Sequence, residues 1–272
     1  MMTKSEITAY IKAEALRLGF DICGIAKAGP VSTEDRTIYD NWIGNGWHAT
    51  MRYMERNCDK RLDPTQLMQG CKSIIMVAMN YAPKQHIDGI ANYAQGKDYH
   101  KIVKDGLFLL LQSIKSICSV QGRAFCDSAP VLERYWAKES GIGYIGRNRQ
   151  LIIPGKGSNF FLGELFVDIE LCYDSPEKRD LCGNCRKCID CCPGGALNEK
   201  GLDANRCLSY LTIENRGELP DNIGKVKVGN DSFVAEAGVP TDVTGARLYV
   251  HTTVFLLPTP QTDYSLQKPL FK

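Results

Sequence analysis

LCGNCRKCIDCCPGG, residues 181 to 195, is the stretch from which the architecture of this chain can be predicted. It places Cys182, Cys185 and Cys188 three residues apart and sets Cys192 directly before Pro193. This is the spacing of bacterial ferredoxins, in which three thiolates bind one iron–sulfur cube and the Cys before proline binds a second cluster. A zinc site and a group of ordinary buried thiols remain alternatives, because two CxxC steps also suit tetrahedral zinc. Cys191 lies outside the pattern.

Composition places the chain among ordinary globular proteins. Its 272 residues allow one large domain or two smaller ones, and 44% of them are hydrophobic. The formal charge of +2 gives no global field for nucleic acid, so any such surface must be local. Six of the 12 Cys fall between residues 182 and 207, at metal-binding spacing, which favours a reducing compartment. Without a long apolar run or a signal-like start, we expect a cytoplasmic protein with no membrane partner.

The region before the cysteines alternates helical and strand-like patterns. Residues 3–18 and 99–118 have apolar residues at helical spacing, and residues 21–26 and 123–126 read as short strands. The apolar run at residues 73–81, SIIMVAMNY, predicts a buried strand of a mixed or parallel sheet. Together these elements predict a layered α/β fold. Residues 41–54 mix aromatic residues with glycine, which is typical of a binding surface but also of a core.

Residues 127–148, DSAPVLERYWAKESGIGYIGRN, hold two ambiguous features. Asp127 or Ser128 precedes a predicted helix, so either could be a simple N-cap. Gly141, Gly143 and Gly146 spell the dinucleotide fingerprint, but they follow a helix and precede a strand, which is the wrong context for a nicotinamide site.

Two further segments follow. Residues 150–153 and 160–171 predict paired strands joined by the PGKGSN turn, and residues 203–214 predict a short helix carrying Cys207. We interpret Cys207 as a partner of Cys192 at the second cluster, although a buried thiol is the simpler alternative.

With these residues in view, the chain resembles the epoxyqueuosine reductases, cobalamin-dependent iron–sulfur enzymes that complete queuosine at the tRNA wobble position. The resemblance runs from about residue 15 to residue 224. The segments that carry it are RLDPTQLMQGCKSIIMVAMNY, YAQGKDYHK, DSAPVLERYWAKESGIGYIGRN, FFLGEL, CGNCRKCIDCCPGGAL and LDANRCLSYLTIENRG.

The resemblance implies a mixed α/β or α+β fold in two parts. A nitroreductase-like cobalamin-binding domain would span residues 1–173, and an incomplete ferredoxin-like domain with 4Fe-4S clusters would span residues 174–224. The implied catalytic proton donor is Asp127, because it matches the Asp of the family's DSAP-like motif. The residues that the resemblance implies for the corrin pocket are Arg61, Tyr99, Asp127, Lys138, Gly143 and Asn148. The implied cluster ligands are Cys182, Cys185, Cys188, Cys192 and Cys207.

The implied reaction is the reduction of epoxyqueuosine to queuosine in tRNA, with electrons from an external donor. Two alternatives stay open: an electron carrier of the ferredoxin type, and an inactive relative of the enzyme. The inactive relative is an alternative because the family's second motif, CDxCQxxCPxN, is absent. None of the 65 residues after Cys207 is Cys, so the first cluster has three of four ligands and the second has two.

The tail, residues 225–272, is predicted to be an out-of-frame reading of the family's C-terminal region. PTDVTGARLYVHTT, residues 240–253, can be encoded so that reading from the third base of the first codon gives YGCDGCQTVCPYN, which contains the missing motif. The shift would lie between about residues 224 and 240. We expect such a tail to lack a coherent hydrophobic period.

Overall fold

The computed structural model describes residues 2–83, 87 and 91–217. The tail from residue 225 to residue 272 lies outside the described residues, so the structure leaves the reading-frame prediction untested.

The helices of the described chain include those predicted at residues 3–18 and 99–118. Helix α1 begins after Thr3, which accepts a hydrogen bond from the backbone of Glu6, while the Glu6 side chain accepts one from Thr3 in return. Within the described ranges, no helix combines the length and hydropathy needed to cross a bilayer. The α-helices are α1 Lys4–Arg17, α2 Thr33–Gly44, α3 Cys58–Leu62, α4 Tyr99–Ile117, α5 Glu133–Glu139 and α6 Lys187–Asp190.

The central feature is a four-stranded sheet in the order β1-β2-β6-β3, and every neighbouring pair in it is antiparallel. The mixed or parallel sheet predicted from residues 73–81 is therefore wrong. That segment is nevertheless buried, because helices cover both faces of the sheet, and this produces the continuous apolar run. The strands are β1 Ile22–Lys27, β2 Ser73–Asn80, β3 Gly122–Phe125, β4 Tyr144–Ile145, β5 Leu151–Ile152, β6 Phe160–Val167, β7 Leu197–Asn198 and β8 Gly201–Leu202.

Each face of the sheet has its own core. On one face, α1 and α4 pack through residues such as Ile11 and Leu107 against Ile75 and Leu165 of the sheet. On the other face, Trp136 of α5 belongs to a core with the sheet residues Met76 and Phe166. Alternate residues of β6 thus face opposite cores, as the two-residue period of a strand requires.

The predicted pairing of residues 150–153 with 160–171 is also wrong. β5 pairs with β4, and β6 lies between β2 and β3 in the main sheet. The turn between β5 and β6 is closed by an isolated antiparallel β-bridge between Ile153 and Gly157. β6 carries apolar residues on both faces, and a central position in the sheet buries both.

The cysteine-containing segment packs directly on the α/β region. Trp42 Nε1 donates to the carbonyl oxygen of Leu202 at 2.7 Å. The backbone N of Ala204 donates to the carbonyl oxygen of Trp47 at 2.8 Å. Cys207 and Tyr210 belong to the same core as Trp136. The helix predicted at residues 203–214 is two short turns instead, a 3-10 turn at Ala204–Arg206 and a π-helical turn at Tyr210–Glu214.

Candidate active site and cluster-binding cysteines

A cavity of about 820 Å³ lies between the sheet, α2 and the cysteine segment. Its size is at the upper end of the range for small-molecule and cofactor sites. Aromatic rings form part of its wall, where Tyr99 and Phe161 stack with their centroids 3.9 Å apart. Residues of several elements meet there, including Trp42, Trp47, Tyr81, Tyr99, Asp127, Glu133, Arg134, Lys138, Tyr144, Arg149, Phe161 and Glu177.

Asp127 lies at this cavity, two residues after the end of β3. The hydroxyl of Tyr99 donates to Asp127 Oδ2 at 2.5 Å, and the backbone N of Asp127 donates to Glu133 Oε1 at 2.7 Å. Asp127 has a φ of +48°, a left-handed conformation that costs a non-glycine residue of order 1 kcal/mol. It does not cap α5, since that helix begins after Leu132 without a side-chain cap. The cap interpretation is therefore wrong, and the carboxyl group instead faces the cavity.

Two more carboxyl groups lie beside Asp127. Glu164 of β6 is fully buried, and neither of its carboxyl oxygens has a hydrogen-bond partner among the described residues. Burial, and then the charge of Asp127, raise the pKa of Glu164 to about 8. Burial also raises the pKa of Glu133, which faces the cavity on α5. At neutral pH we therefore expect the proton to stay on Glu164.

Glu164→Gln tests this protonation state. The pKa of Glu164 rises from 4.5 to about 8 on folding, so between these pH values the folded state binds more protons than the unfolded state. The free energy of unfolding must then fall as pH rises through this window, and the Gln variant should lack that fall. We expect the variant to gain about 2 to 4 kcal/mol relative to the original between pH 5 and pH 9, as measured by urea unfolding.

Glu177→Gln is the matched control for this measurement. Glu177 also lines the cavity, but hydrogen bonds from Arg179 lower its pKa to about 2. It is ionised in both states across the tested range, so its replacement should produce no pH-dependent gain. Absence of the pH-dependent gain in Glu164→Gln would show that Glu164 is ionised in the folded protein, and an equal gain in both variants would show that the gain does not come from Glu164.

The other residues predicted for the corrin pocket fall into two groups. Tyr99 and Lys138 line the cavity, and Lys138 Nζ pairs with Asp35 at 3.2 Å. Asn148 is buried next to the lining residue Arg149, and its Nδ2 has no partner within the described chain.

Arg61 and Gly143 lie behind the lining. Arg61 is fully buried, where its side chain donates to the carbonyl oxygen of Tyr53 at 3.1 Å and hydrogen-bonds Tyr39, itself a lining residue. A Cβ on Gly143 would lie 2.5 Å from the carbonyl oxygen of Ile152, so glycine here permits the close approach of β4 and β5. The fingerprint glycines are followed by this hairpin and not by a helix, in agreement with the sequence argument against a nicotinamide site.

The structure brings the predicted ligands together as a trio, Cys182, Cys185 and Cys188, and a pair, Cys192 and Cys207. Burial, and then the nearby thiols of Cys182 and Cys185, raise the pKa of Cys188. Burial and, to a smaller extent, Cys192 raise the pKa of Cys207. The two segments of the pair approach closely, since a Cβ on Gly194 would lie 1.9 Å from the carbonyl oxygen of Arg206. Between residues 2 and 217, no three Cys, His, Asp or Glu side chains of the described chain are placed to hold a single metal ion.

The trio lies next to the cavity. Arg147 donates to the carbonyl oxygen of Cys185 at 2.9 Å, and the nearby Cys182 contributes to a raised pKa of Tyr144, a lining residue, after the larger effect of burial. Arg149, which also lines the cavity, is close enough to Cys188 for their charges to interact. A group held by the trio would therefore be separated from the cavity by one layer of side chains.

Cys185→Ser and Cys191→Ser separate ligand from non-ligand. Cys185 belongs to the trio, whereas Cys191 is exposed and outside the spacing. We expect Cys185→Ser to remove up to about four iron atoms and their sulfide per chain, and Cys191→Ser to change neither. Iron and acid-labile sulfide in anaerobically purified protein measure this. Equal losses from both variants would mean that the cysteine register is misassigned.

Several site residues escaped the sequence analysis. Glu164 had a usable signal, because it is the one charged residue in the apolar run FFLGELFV, where a buried carboxyl group needs a reason. Glu133 and Arg149 had no such signal in the sequence, since a charged residue near a helix or turn is usually solvated.

Two family models match parts of this chain. Residues 61–128 match the model described as Epoxyqueuosine reductase QueG, and residues 181–234 match a 4Fe-4S double cluster binding domain. The curated epoxyqueuosine reductase of Cyclobacterium marinum is 43% identical over 236 residues, which cover 84% of this chain and 76% of the relative. The chain belongs to the epoxyqueuosine reductase family. The Leadbetterella byssophila epoxyqueuosine reductase is 44% identical over 80% of this chain and 73% of its own length.

Solved epoxyqueuosine reductases share the fold. A crystal structure of epoxyqueuosine reductase with an epoxyqueuosine-modified tRNA stem loop has a TM-score of 0.73 and 29% identity. A Bacillus subtilis structure, with its aspartate-bearing catalytic loop swung out of the active site, has a TM-score of 0.72 and 28% identity. Each match covers 80% of this chain and 60% of the solved chain. The chain thus spans about three-fifths of these solved relatives, and the 4Fe-4S family model favours a cluster over zinc at the cysteines.

Proposed function

We propose that this protein reduces epoxyqueuosine in tRNA to queuosine, with cobalamin in the cavity and 4Fe-4S clusters at the cysteines. The observation that carries the proposal is the meeting of two features at one cavity. Asp127, hydrogen-bonded by Tyr99, lies on one side, and the cysteine trio lies behind Tyr144 and Arg149 on another. With a cluster bound at the trio, a proton donor and an electron source would reach the same space.

The residues present fit a corrin. A corrin has a broad apolar ring with amide and phosphate groups at its edge, and the cavity combines stacked aromatic rings with polar groups. Arg149 Nε and Asn148 Nδ2 are buried without hydrogen-bond partners among the described residues, and they suit such polar edge groups. Tyr99, Lys138 and Arg149 would contact the corrin, with Asn148 beside them, whereas Arg61 would act through Tyr39 and Gly143 through the hairpin.

Within this site, bound cobalamin would supply electrons at the substrate carbon. The chain supplies orientation and protons. Asp127 would protonate the leaving oxygen as a general acid. The Tyr99 hydroxyl fixes the orientation of its carboxyl group through Oδ2. The stacked rings of Phe161 and Tyr99, with the tilted ring of Tyr81 against Phe161, would exclude water from that part of the wall.

The five cysteines predicted as cluster ligands fit two clusters in part. The trio supplies three thiolates of one 4Fe-4S cluster, and Cys192 with Cys207 supplies two of another. The thiolates that bind a 4Fe-4S cluster lie further apart than those that bind a single metal ion. This suits a trio whose thiols are near one another but are not placed to bind one ion. Electrons would enter from an external donor and leave toward the cavity through the trio.

Corrin binding tests the proposal against a plain electron carrier. Protein titrated with cobalamin should change the visible spectrum of the corrin and retain it through gel filtration at about one per chain. Trp47→Ala, which opens the cavity wall, should weaken binding, whereas Phe108→Ala on the exposed face of α4 should not. Failure of the unmodified chain to bind corrin would contradict the reductase proposal and favour the carrier.

A further inference from the structure

Asp127 and Glu133, which line the cavity, and the fully buried Glu164 beside them form one hydrogen-bonded and electrostatically linked group, here called the carboxyl cluster. Glu133 accepts from the backbone N of Asp127 at 2.7 Å, and the two side chains hydrogen-bond each other. Glu164 lies in the register opposite Phe125, two residues before Asp127, and interacts with both other acids. Each carboxylate disfavours ionisation of the carboxyl groups next to it, so such clusters hold and share protons at rest.

Two cations lie near the carboxyl cluster and can stabilise the carboxylates that form when it gives up protons. Arg134 of α5 lies beside Glu133 and Asp127, and although burial lowers its pKa to about 10 it remains a cation at neutral pH. Lys104 of α4 acts on Glu164 from the other side of the sheet. The Tyr99 hydroxyl and the Cys126 thiol are the other titratable neighbours, and burial raises the pKa of both, so they stay neutral.

The proposed reaction needs more than one proton. When the epoxide becomes an alkene, both C–O bonds break, a C=C bond forms, and the oxygen leaves as water. Two electrons enter, supplied by a low-potential one-electron donor acting twice, and the oxygen takes up two protons. One carboxyl group can give one proton, so a single general acid must be recharged within the turnover.

Building on the proposed function, we propose that the carboxyl cluster is a proton store, in which Glu133 gives the second proton to Asp127 while Glu164 remains protonated behind them. Asp127 gives its proton to the leaving oxygen and becomes a carboxylate. Glu133 then transfers its own proton across the hydrogen bond to Asp127, and Arg134 stabilises the Glu133 carboxylate that results. Asp127 then gives this second proton to the same oxygen, which leaves as water. After product release, water in the open cavity returns one proton to Asp127 and one to Glu133. Glu133 thus acts through Asp127, as a positioning residue that also carries a proton.

Infrared titration of the full chain without corrin, tRNA or reductant tests the proton store. Protonated carboxyl groups absorb apart from carboxylates, and most surface acids are ionised at pH 7. The original protein should retain protonated-carboxyl absorption at pH 7. Glu133→Gln and Glu164→Gln should each remove part of it, and Glu177→Gln, at the same cavity, should remove none. Unchanged absorption in Glu133→Gln would overturn the proposal, as would a loss confined to Glu164→Gln.

A conservative variant guards against misfolding. Glu133→Asp keeps a carboxyl group in the cluster, so it should retain the absorption at a shifted frequency. Loss of the absorption in Glu133→Asp, with the near-ultraviolet circular dichroism of the neighbouring Trp136 unchanged, would contradict a stored proton. Because no substrate takes part, an ionised Glu133 overturns the proton store and leaves the reductase proposal standing. Absence of tRNA conversion with Glu133 protonated refutes only the reductase.

Discussion

Asp127→Asn should lower the rate of epoxyqueuosine reduction at least about a hundredfold, the lower range for loss of a general acid. The amide has nearly the shape of the carboxyl group and can still accept from the Tyr99 hydroxyl, so the cavity should keep its form. It has no acidic proton to give the leaving oxygen. A single-turnover assay with chemically reduced cofactor measures the step without depending on electron supply through the clusters.

Corrin binding separates this result from simple loss of the site. The Asn variant should bind corrin as the original protein does, because Asp127 serves the proton step. Asp40→Asn, on the exposed side of α2, is the matched control and should react at the original rate. Full activity in Asp127→Asn would remove Asp127 from the mechanism and leave its strained backbone without a functional reason.

The second large effect concerns the tail. A version whose residues after about 224 follow the shifted frame should gain three cysteines, which complete the trio with one ligand and the Cys192–Cys207 pair with two. We expect this version to bind about eight iron atoms per chain and to turn over repeatedly. The printed sequence should bind iron poorly and turn over little or not at all, because a cluster with two thiolates is labile. The family-model match ends at residue 234, before the segment that encodes the shifted motif.

The gene sequence provides the decisive comparison. Codons for residues 240–253 that cannot be read as the shifted cysteine triplets would refute the reading-frame proposal. The same shifted version with its three new cysteines changed to serine is the control, and it should fall back to the iron content of the printed chain. Equal iron in the printed and shifted chains would also contradict the proposal.

The elements that could be predicted from the sequence are those with a local signal. The helical periods of α1 and α4 and the apolar run of β2 were confirmed, because each depends on residues close together in the chain. The strand pairing was not predictable in the same way. β6 lies between β2 and β3, and nothing in its own residues or in the adjoining turn distinguishes that position from a hairpin with β5.

The candidate site shows the same limit. The spacing of the cysteines predicted the trio, and the resemblance placed Asp127 at the reaction centre. The side chains that surround Asp127 come from distant parts of the chain: Tyr99 from the start of α4, Glu133 from α5 and Glu164 from β6. A charged residue inside an apolar strand is a sign of such a role, although its partners are known only once the strands are assembled.

The most direct test of the central claim, that this cavity performs epoxyqueuosine reduction, is a single-turnover conversion followed by nucleoside mass spectrometry. Protein loaded with chemically reduced cobalamin is mixed with tRNA carrying epoxyqueuosine. The tRNA is then digested to nucleosides, and their masses are measured. The electrons are already in place, so the missing cluster ligands do not limit one turnover. The account predicts that up to one epoxyqueuosine per chain becomes lighter by one oxygen atom, and that Asp127→Asn leaves it unchanged. Unaltered epoxyqueuosine in the presence of bound, reduced corrin would contradict the account.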